Sequence, residues 1–351
     1  MRLAFLTSTP LTATEGSGTF VGIDTLAAGL VATGHEVDLR PVRLRTRFHT
    51  LDRWLYNVDV ALRPPAADVV VGFDLDGFLW ARRRSRPFVA SLKGIIADEL
   101  QNERGRVRAL LSVQARWERL NVTRADRVVV TSEYCAGVAQ RAYGVPRGRL
   151  AVVPEPIDLD GWQRLFAAAP PRATGRPVVL AVGRMYRRKR FGDLLAAARL
   201  LAGRIPEVQV RIVGRGPEWA RISTLHDELG LRHTVVLLGD LSRAQLAGEY
   251  ANADCFCLPS VQEGFGIVFV EAMAAGLPVV ACRAAAIPEV VPDRRAGLLV
   301  NPRSPEELAM ALETLLTNNG LRKELGEAGR AWVTRFARDR VAARFAEAAA
   351  P

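Results

Sequence analysis

The chain has 351 residues, 49% of them hydrophobic, a length that suits two domains of roughly 150 residues better than one core. It carries 48 basic and 37 acidic residues, and the formal net charge of +11 favours anionic partners in general without defining a binding site. No apolar run reaches the roughly 20 residues of a membrane-spanning helix, and the first ten residues are typical of a strand rather than a signal peptide. We therefore expect a cytoplasmic protein.

Short β-branched runs alternate with helical patterns along the whole chain, which is typical of parallel sheets built from strand-helix-strand units. The first half predicts six strands, at residues 3–8, 36–42, 68–73, 88–92, 127–132 and 150–155. The second half repeats the scheme, at residues 177–183, 208–214, 235–239, 254–260, 278–282 and 297–300. The predicted fold class is α/β, with two doubly wound, Rossmann-like domains that face each other across a cleft.

The domain boundaries are predicted from a segment that becomes rich in proline and glycine near the middle of the chain. We predict an N-terminal domain over residues 1–156, a linker over 157–176 and a C-terminal domain over 177–336. The last helical stretch, about residues 337–351, has no strand behind it. We expect it to pack back on the N-terminal domain.

The first candidate ligand loop follows the first strand. In an open parallel sheet, ligands bind at the carboxyl ends of the strands, where helices begin. Gly16 and Gly18 precede a helix predicted to start near Thr19, and they would let the backbone approach a ligand closely. A flexible turn is the alternative interpretation.

The second candidate is a basic turn after the seventh strand. Arg184 follows that strand, and Lys189 lies five residues later, near the start of the next helix. Cations at a helix N-terminus oppose the helix dipole, so their placement calls for a compensating anion. A diphosphate is suitable, with arginine as a forked donor and lysine as a point charge. A solvated turn in an arginine-rich protein is the alternative.

The third candidate is a pair of carboxylates eight residues apart, Glu263 and Glu271. Between them, a turn opens an apolar helix with N–H groups that suit an anion or a sugar hydroxyl. This turn consists of Gly264, Phe265 and Gly266, followed by Ile267. Glu271 lies inside the helix, where a carboxylate is costly without partners. Ribose hydroxyls are suitable partners, and a helix cap with a salt bridge to an arginine is the alternative.

Metal binding is the interpretation that the remaining acidic and sulfur residues favour least. Asp74 and Asp76 imitate a metal-binding Asp-x-Asp motif, but the residues after them are typical of a helix start. We predict no metal here and no cofactor. The cysteines show no metal-ligand spacing, and we expect all four to be reduced core residues. They are Cys135, Cys255, Cys257 and Cys282.

Together these stretches resemble the retaining, nucleotide-sugar-dependent glycosyltransferases of family 4, also called glycosyl transferases group 1, which have the two-domain GT-B fold. The resemblance spans nearly the whole chain and is strongest in the second half. The matching stretches are residues 18–39, 125–134, 152–160, 182–195, 210–218 and 258–282. The resemblance implies an enzyme that moves a sugar, without a metal, from a nucleotide-diphosphate sugar to a hydroxyl of a small-molecule, glycan or lipid-linked acceptor.

The resemblance also implies roles for the candidate residues. Glu263 would contact the transferred sugar and Glu271 the ribose. Arg184 and Lys189 would hold the diphosphate, Gly16 would meet the donor from the first domain, and the main chain near Leu241 would read the base.

The fourth strand marks a departure from the family pattern. Many members carry a histidine after this strand, where this chain has Lys93. Lys93 could replace that histidine as a charged donor to the sugar or to an anionic group, or the role could be absent. A structural ion pair to Asp98 or Glu99 is the alternative.

Two other functions fit the same architecture. A nucleotide-sugar epimerase would need acid and base groups near the sugar, but none of the four histidines follows a predicted strand in a suitable position. These are His35, His49, His226 and His233. A non-catalytic binding protein could instead dock on an anionic surface.

A cluster near the second strand would serve such docking. It comprises Arg40, Arg43, Arg45, Arg47 and Arg53 beside Trp54 and Tyr56. This cluster allows peripheral contact with the inner face of a membrane, and a solvated face is the alternative. We expect no nucleic-acid partner.

Overall fold

The structure is a computed structural model that describes residues 1–9, 13–42, 46, 48–172 and 175–350. The chain divides into two compact units, one comprising Met1–Ile157 with Phe336–Pro351 and the other Asp158–Arg335. No helix in the described ranges combines the length and the apolar character needed to cross a bilayer.

The first unit contains a parallel six-stranded sheet in the order β2-β1-β3-β4-β5-β6. Its strands are β1 (Arg2–Thr7), β2 (Glu36–Pro41), β3 (Val69–Phe73), β4 (Phe88–Leu92), β5 (Arg127–Val130) and β6 (Leu150–Val152). The apolar runs of β3 and β4 are buried along their whole length, as expected for central strands covered on both faces.

Helices cover both faces of this sheet. They are α1 (Ala13–Ala32), α2 (His49–Leu62), α3 (Ile96–Glu99), α4 (Gly105–Arg124), α5 (Glu133–Tyr143) and the C-terminal α14 (Arg338–Ala349). On one face, Leu26 of α1 and Phe345 of α14 share a core cluster with Phe5 of β1. The final helix is therefore part of the first unit, where Arg338 N donates to the Ile157 carbonyl at 3.0 Å.

The second unit repeats this architecture, with a parallel sheet in the order β12-β11-β10-β7-β8-β9. Its strands are β7 (Val178–Val182), β8 (Gln209–Val213), β9 (Val235–Gly239), β10 (Cys255–Leu258), β11 (Val279–Cys282) and β12 (Gly297–Val300). Its helices are α6 (Leu159–Ala167), α7 (Phe191–Ala202), α8 (Trp219–Glu228), α9 (Arg243–Asn252), α10 (Ile267–Ala274), α11 (Ile287–Val290), α12 (Pro305–Thr317) and α13 (Asn319–Val333). Both predicted doubly wound sheets are confirmed, and all twelve predicted strands are present.

Two local predictions, on α1 and on the segment after Asp76, are wrong, whereas the linker stays a prediction. Helix α1 begins at Ala13, so Gly16 and Gly18 lie inside it rather than in a turn before it. The segment predicted as a linker opens with helix α6, which Asp158 caps by accepting from Gly161 N. No α-helix begins at Asp74 or Asp76. Residues 74–79 form turns that lead into the 3-10 helix Trp80–Arg82. Asp74 and Gly77 both have positive φ there, at +53° and +103°, which a helix cannot accommodate.

The strand order of each sheet locates where a ligand can bind. The chain reverses its direction of travel between β1 and β3 in the first sheet and between β7 and β10 in the second. In open parallel sheets, ligands bind beyond the carboxyl ends of the strands at such a reversal. The loops after β7 and β10 carry the basic turn and the first carboxylate of the spaced pair.

Candidate functional site

Lys189 and Glu263 meet at the carboxyl edge of the second sheet. Strands β7 and β10 are hydrogen-bonded neighbours, so the loops that follow them lie side by side. Val261 N donates to the Arg188 carbonyl at 2.9 Å, which joins the two loops through their backbones. Lys189 Nζ then reaches Glu263 Oε1 at 2.5 Å, with both side chains largely buried. Two residues 74 positions apart thus form one charged pair.

The electrostatics of this pair keep Glu263 ionised. Burial alone would raise the pKa of Glu263, but attraction to Lys189 and Arg188 outweighs it and holds that pKa below its usual value. The hydrogen bond from Lys189 acts in the same direction. The site therefore holds a carboxylate acceptor and an ammonium donor in contact with each other.

The turn after Glu263 positions the start of α10. Gly266 has φ +88° and precedes the helix, and a Cβ there would lie 2.6 Å from the Phe269 ring, so only glycine fits. Ala286 N donates to the Glu263 carbonyl at 3.3 Å and ties the turn to the loop after β11. Gly264 and Phe265 complete this turn, and the first N–H groups of α10, beginning at Ile267, point out of its N-terminus.

Glu271 lies at the fifth position of α10, and its side chain is buried. The Tyr250 hydroxyl donates to Glu271 Oε2 at 3.0 Å. Burial raises the pKa of Glu271 to about 7, although the Tyr250 hydrogen bond and the attraction of Arg243 lower it. Burial thus favours the neutral carboxyl, and additional hydrogen-bond donors would favour its charged form.

Tyr250 belongs to an aromatic cluster that supports Glu271. Its ring lies 5.7 Å from that of Trp162 and 6.0 Å from that of Phe256, measured between centroids. Phe256 in turn contacts Phe269 of α10 edge to face. This packing fixes the Tyr250 hydroxyl and, through it, the orientation of the carboxyl group.

Arg184 and Leu241 lie at the same edge of the second sheet. Arg184 is exposed two residues after β7, and its guanidinium lies 5.8 Å from the centre of the Tyr186 ring. Leu241 lies two residues after β9, just before α9, where Ser242 and Gln245 form a capping box. The candidate residues of the second unit therefore follow strands β7, β9 and β10, whereas Lys93 and Gly16 belong to the first unit.

Lys93 directly follows β4, and its ion pair differs from the predicted one. Its Nζ donates to Glu155 Oε2 at 2.8 Å, and both side chains are only 7% exposed. The predicted ion pair of Lys93 with Asp98 or Glu99 is therefore wrong. The partner is Glu155, which follows β6 at the same edge of the sheet. Lys93 N also donates to Asp74 Oδ1 at 2.9 Å, which fixes the start of this loop.

Asp74 and Asp76 are used in hydrogen bonds within the first unit. Asp76 accepts from Ser8 N at 2.6 Å and from Asn57 Nδ2 at 3.1 Å. Burial raises the pKa of Asp74 to about 6, against the attraction of Arg53, which lowers it. Within the described ranges, no group of three His, Cys, Asp or Glu side chains is placed to hold a metal ion.

Sequence reasoning missed two residues of this arrangement. Tyr250 lies in α9, before the strand that leads to the spaced carboxylates, and nothing in its local pattern marks it as a partner of Glu271. Glu155 had a usable signal, since it lies just after β6 and inside a stretch that matches the family. The structure describes all four histidines, and none of them directly follows a strand.

Two family models match the chain, one in each half. The model for glycosyl transferases group 1 matches residues 163–332, and the model for glycosyltransferase family 4 matches residues 40–160. The first match includes every candidate residue of the second unit, and the second includes Lys93 and Glu155.

Characterised relatives are similar over part of their length. The GDP-mannose-dependent alpha-(1-6)-phosphatidylinositol monomannoside mannosyltransferase of Mycobacterium tuberculosis is 32% identical, over 63% of this chain and 61% of its own. A D-inositol 3-phosphate glycosyltransferase of Catenulispora acidiphila is 34% identical, over 56% of this chain and 49% of its own. The chain thus spans about half to six tenths of these relatives.

Solved structures share the fold at low sequence identity. Sucrose-phosphate synthase from Thermosynechococcus elongatus superposes with a TM-score of 0.80 at 22% identity, covering 99% of this chain and 97% of its own. Anabaena HepE, solved with UDP and glucose, superposes with a TM-score of 0.77 at 20% identity, covering 99% and 98%.

Proposed function

The chain belongs to the family 4, group 1 glycosyltransferases and has their two-domain GT-B fold, and from this premise we propose that it transfers a sugar from a nucleotide-diphosphate sugar to an acceptor hydroxyl. The observation that carries the proposal is the contact between Lys189 and Glu263 at the point where the second sheet reverses. A sugar nucleotide presents hydroxyl groups and a diphosphate next to each other. An adjacent carboxylate and ammonium match that pattern.

The two acidic residues take different parts of the donor. Glu263 is held ionised by Lys189 and would accept hydrogen bonds from the hydroxyls of the transferred sugar. Glu271 lies within α10, about two turns beyond Glu263, and would accept from the ribose hydroxyls. Leu241 lies in the loop after β9, where its main chain would contact the base.

The chemical step needs stabilisation of a leaving diphosphate. The acceptor oxygen forms a bond to the anomeric carbon while the bond from that carbon to the phosphate oxygen breaks. The diphosphate leaves with the bonding electron pair and takes the acceptor's proton. Arg184, Lys189 and the N-terminus of α10 would stabilise the developing negative charge, the kind of preorganised electrostatics that often gives the largest catalytic contribution.

We further propose that the reaction retains the anomeric configuration and needs no metal ion. Retention is what the family implies when the leaving group and the acceptor share one face of the sugar. Metal independence is supported by the cations after β7, which would neutralise charge that a divalent ion neutralises in other transferases. Asp74 and Asp76 would stay bound to backbone and side-chain donors of the first unit.

The relatives indicate which substrates to test first. GDP-mannose is named for the mycobacterial relative, UDP was bound in the solved HepE, and phosphatidylinositol mannoside and inositol phosphate are named acceptors. We expect nucleoside diphosphate release in a coupled assay with one of UDP-, GDP- or ADP-sugars and an inositol-containing acceptor.

The assay has two further arms. Activity should persist in excess EDTA, and loss of activity that Mg²⁺ or Mn²⁺ restores would contradict the metal-independent proposal. Proton NMR of the first-formed product should show the anomeric configuration of the donor. Inversion would contradict the retaining proposal while leaving transferase activity intact.

A further inference from the structure

Helix α4 buries a row of polar side chains where the core-facing stripe of a helix is normally apolar. Gln114, Glu118 and Asn121, which we call the α4 polar row, are at most 6% exposed. Their spacing places them on one face of the helix. Burying a carboxyl and two amides costs free energy unless each group has a partner, so the row indicates a specific set of contacts.

The row contacts the two loops that leave the central strands of the first sheet. Asn121 Nδ2 donates to the Asp74 carbonyl, in the loop after β3, at 2.7 Å. Glu118 Oε2 accepts from Ile96 N, beyond the end of β4, at 2.9 Å. Asp74 Oδ1 in turn accepts from Lys93 N. A single helix therefore holds both loops at the carboxyl edge, where Lys93 lies.

Gln114 extends the row to helix α2. It donates to the Thr50 hydroxyl at 2.9 Å and accepts from Arg53 Nη1 at 3.3 Å. Arg53, a member of the predicted arginine cluster, is thus bonded to another helix. Three members of that cluster lie outside the described residues: Arg43, Arg45 and Arg47.

The contact at Glu118 supplies a helix cap that the local sequence lacks. Helix α3 begins after Ile95, whose side chain has no hydrogen-bonding group and makes no cap. Its first two N–H groups are bonded from other helices instead. Ile96 N donates to Glu118 of α4, and Ala97 N donates to the Tyr143 hydroxyl of α5 at 3.2 Å. A carboxyl at a helix N-terminus also interacts favourably with the helix dipole.

Tyr143 completes this arrangement by donating from its hydroxyl to Glu118 Oε2, and both side chains are at most 4% exposed. Burial raises the pKa of Glu118 and the charge of Asp74 raises it further, whereas the hydrogen bonds from Tyr143 and Ile96 lower it. Removing the tyrosine hydroxyl takes one donor from this buried carboxyl and leaves Ala97 N without its partner. The loop after β4 thus depends on one hydroxyl group.

We propose that Glu118 and Tyr143 are positioning residues for the transfer reaction, because they fix the loop after β4 on which Lys93 lies. They act through this loop rather than on the substrate. Asp74 holds the loop at Lys93 N, and the Glu118–Tyr143 pair holds it at the start of α3. A misplacement of about 1 Å at an active site can cost about 100-fold in rate. This role rests on the proposed function, since it assumes that Lys93 contributes to transfer.

The kinetic test uses Tyr143→Phe, which removes the hydroxyl and leaves the ring in the core. With the donor and acceptor identified in the coupled assay, this variant should lower kcat by at least about tenfold. The Kd for the free nucleoside diphosphate should stay unchanged, because Lys189 and Glu271, proposed to hold it, belong to the second unit. A Tyr143→Phe variant with wild-type kcat would overturn the proposal.

Phe345→Leu is the matched control for lost stability. Phe345 of α14 is buried in the core cluster on one face of the first sheet, whereas Tyr143 belongs to the cluster on the other face. Truncating Phe345 therefore destabilises the same unit without changing a contact of the loop after β4. It should keep wild-type kcat at a temperature where circular dichroism shows both variants folded. If Phe345→Leu lowered kcat as much as Tyr143→Phe does, the loss would follow from stability and the proposal would be wrong.

A double-mutant cycle with Lys93→Ala tests whether Tyr143 acts through the lysine. In the Lys93→Ala background, Tyr143→Phe should lower kcat by less than about twofold, because the group that it positions is gone. An equal fold loss in both backgrounds would show that Tyr143 acts independently of Lys93, and it would overturn the proposal.

Hydrogen exchange tests the anchoring of the loop without any substrate. The amides of Ile96 and Ala97 should exchange at least about tenfold faster in Tyr143→Phe than in the wild type, and at the wild-type rate in Phe345→Leu. A wild-type protein that transfers no sugar would contradict the proposed function. A transferase whose Tyr143→Phe variant shows wild-type exchange at these two amides would contradict the positioning role alone.

Discussion

Lys93 Nζ lies 2.8 Å from Glu155 Oε2, and this buried pair joins the loops after β4 and β6 at the carboxyl edge of the first sheet. Gly22 of α1 closes over it, since a Cβ there would lie 2.3 Å from Glu155 Oε2 and 3.6 Å from Lys93 Nζ. The lysine that stands where many family members have a histidine is therefore held in a fixed position by a residue in the loop after another strand. Because the pair is buried, a change at Lys93 should lower stability as well as turnover, so the two effects have to be measured separately.

We expect Lys93→Ala to lower turnover by about 10²–10³, the usual cost of losing one charged contact at a transition state. Nucleotide affinity should stay nearly unchanged, and Lys93→Arg should restore part of the rate. Because Lys93→Ala leaves a buried carboxylate unpaired, the variant should also lose roughly 3–5 kcal/mol of stability.

The double variant Lys93→Met, Glu155→Gln distinguishes the two roles. It removes both charges, so its thermal midpoint should recover most of what Lys93→Ala loses. Its turnover should stay low. If the double variant regained both stability and full turnover, Lys93 would have only a structural role.

Glu271→Gln should weaken binding of both the free nucleoside diphosphate and the sugar nucleotide by about 10- to 100-fold, because it removes charged hydrogen bonds to the ribose. Isothermal titration calorimetry measures both affinities. Glu306→Gln, an exposed change of the same kind in the first turn of α12, serves as the matched control. Equal affinities for Glu271→Gln and the control would exclude the ribose contact.

The pH dependence of stability tests the burial of Glu271 independently of any ligand. Its folded pKa of about 7 exceeds the usual 4.5, so the folded state binds more protons than the unfolded state between those values. The protonated Glu271 therefore adds to the free energy of unfolding. This contribution is fully present below pH 4.5 and is lost as the pH rises through 7, which lowers the free energy of unfolding by up to about 3 kcal/mol.

Glu271→Gln lacks that titration. The thermal midpoint of Glu271→Gln minus that of the wild type should therefore be more positive at pH 8 than at pH 5. Differential scanning calorimetry at the two pH values measures this difference. A constant offset between the two proteins would mean that Glu271 titrates as an ordinary exposed carboxyl.

Lys189→Ala and Glu263→Gln should affect different steps, although their side chains touch. Lys189→Ala should weaken binding of the free nucleoside diphosphate, because it removes the cation proposed to hold the phosphates. Arg187→Ala, an exposed cation in the same 3-10 helix, should leave that affinity unchanged. Glu263→Gln should spare the free nucleotide and lower the transfer rate. If Glu263→Gln bound the free nucleoside diphosphate as weakly as Lys189→Ala does, the two residues would not act on different steps.

Much of the fold could be predicted because the strands are short apolar runs at regular intervals. β3 and β4 are buried on both faces, so their residues are nearly all apolar and the pattern is unambiguous. Helix starts were harder to predict. The turns from Asp74 to Leu79 depend on the positive φ of Asp74 and on the hydrogen bond that Ser8 N donates to Asp76 from a loop distant in sequence. Helix α1 begins before the glycines that were expected to precede it.

The candidate site could be predicted in part, because position after a strand is visible in the sequence. Lys189 and Glu263 both follow strands, but their contact depends on β7 and β10 being neighbours, which local pattern does not specify. The same reason explains why Glu155, and not Asp98 or Glu99, pairs with Lys93. Tertiary pairing, rather than local propensity, decides these partners.

The most direct test of the central claim is a thermal-shift titration of the whole chain with UDP-, GDP- and ADP-sugars. A ligand that binds only the folded state stabilises it by about 2.7 kcal/mol at a concentration of 100 Kd. We predict that one donor raises the midpoint by several degrees, and that Lys189→Ala combined with Glu271→Gln abolishes the shift while Arg187→Ala retains it. If no donor shifted the midpoint, or if the double variant responded as fully as wild type, the proposed donor site would be wrong.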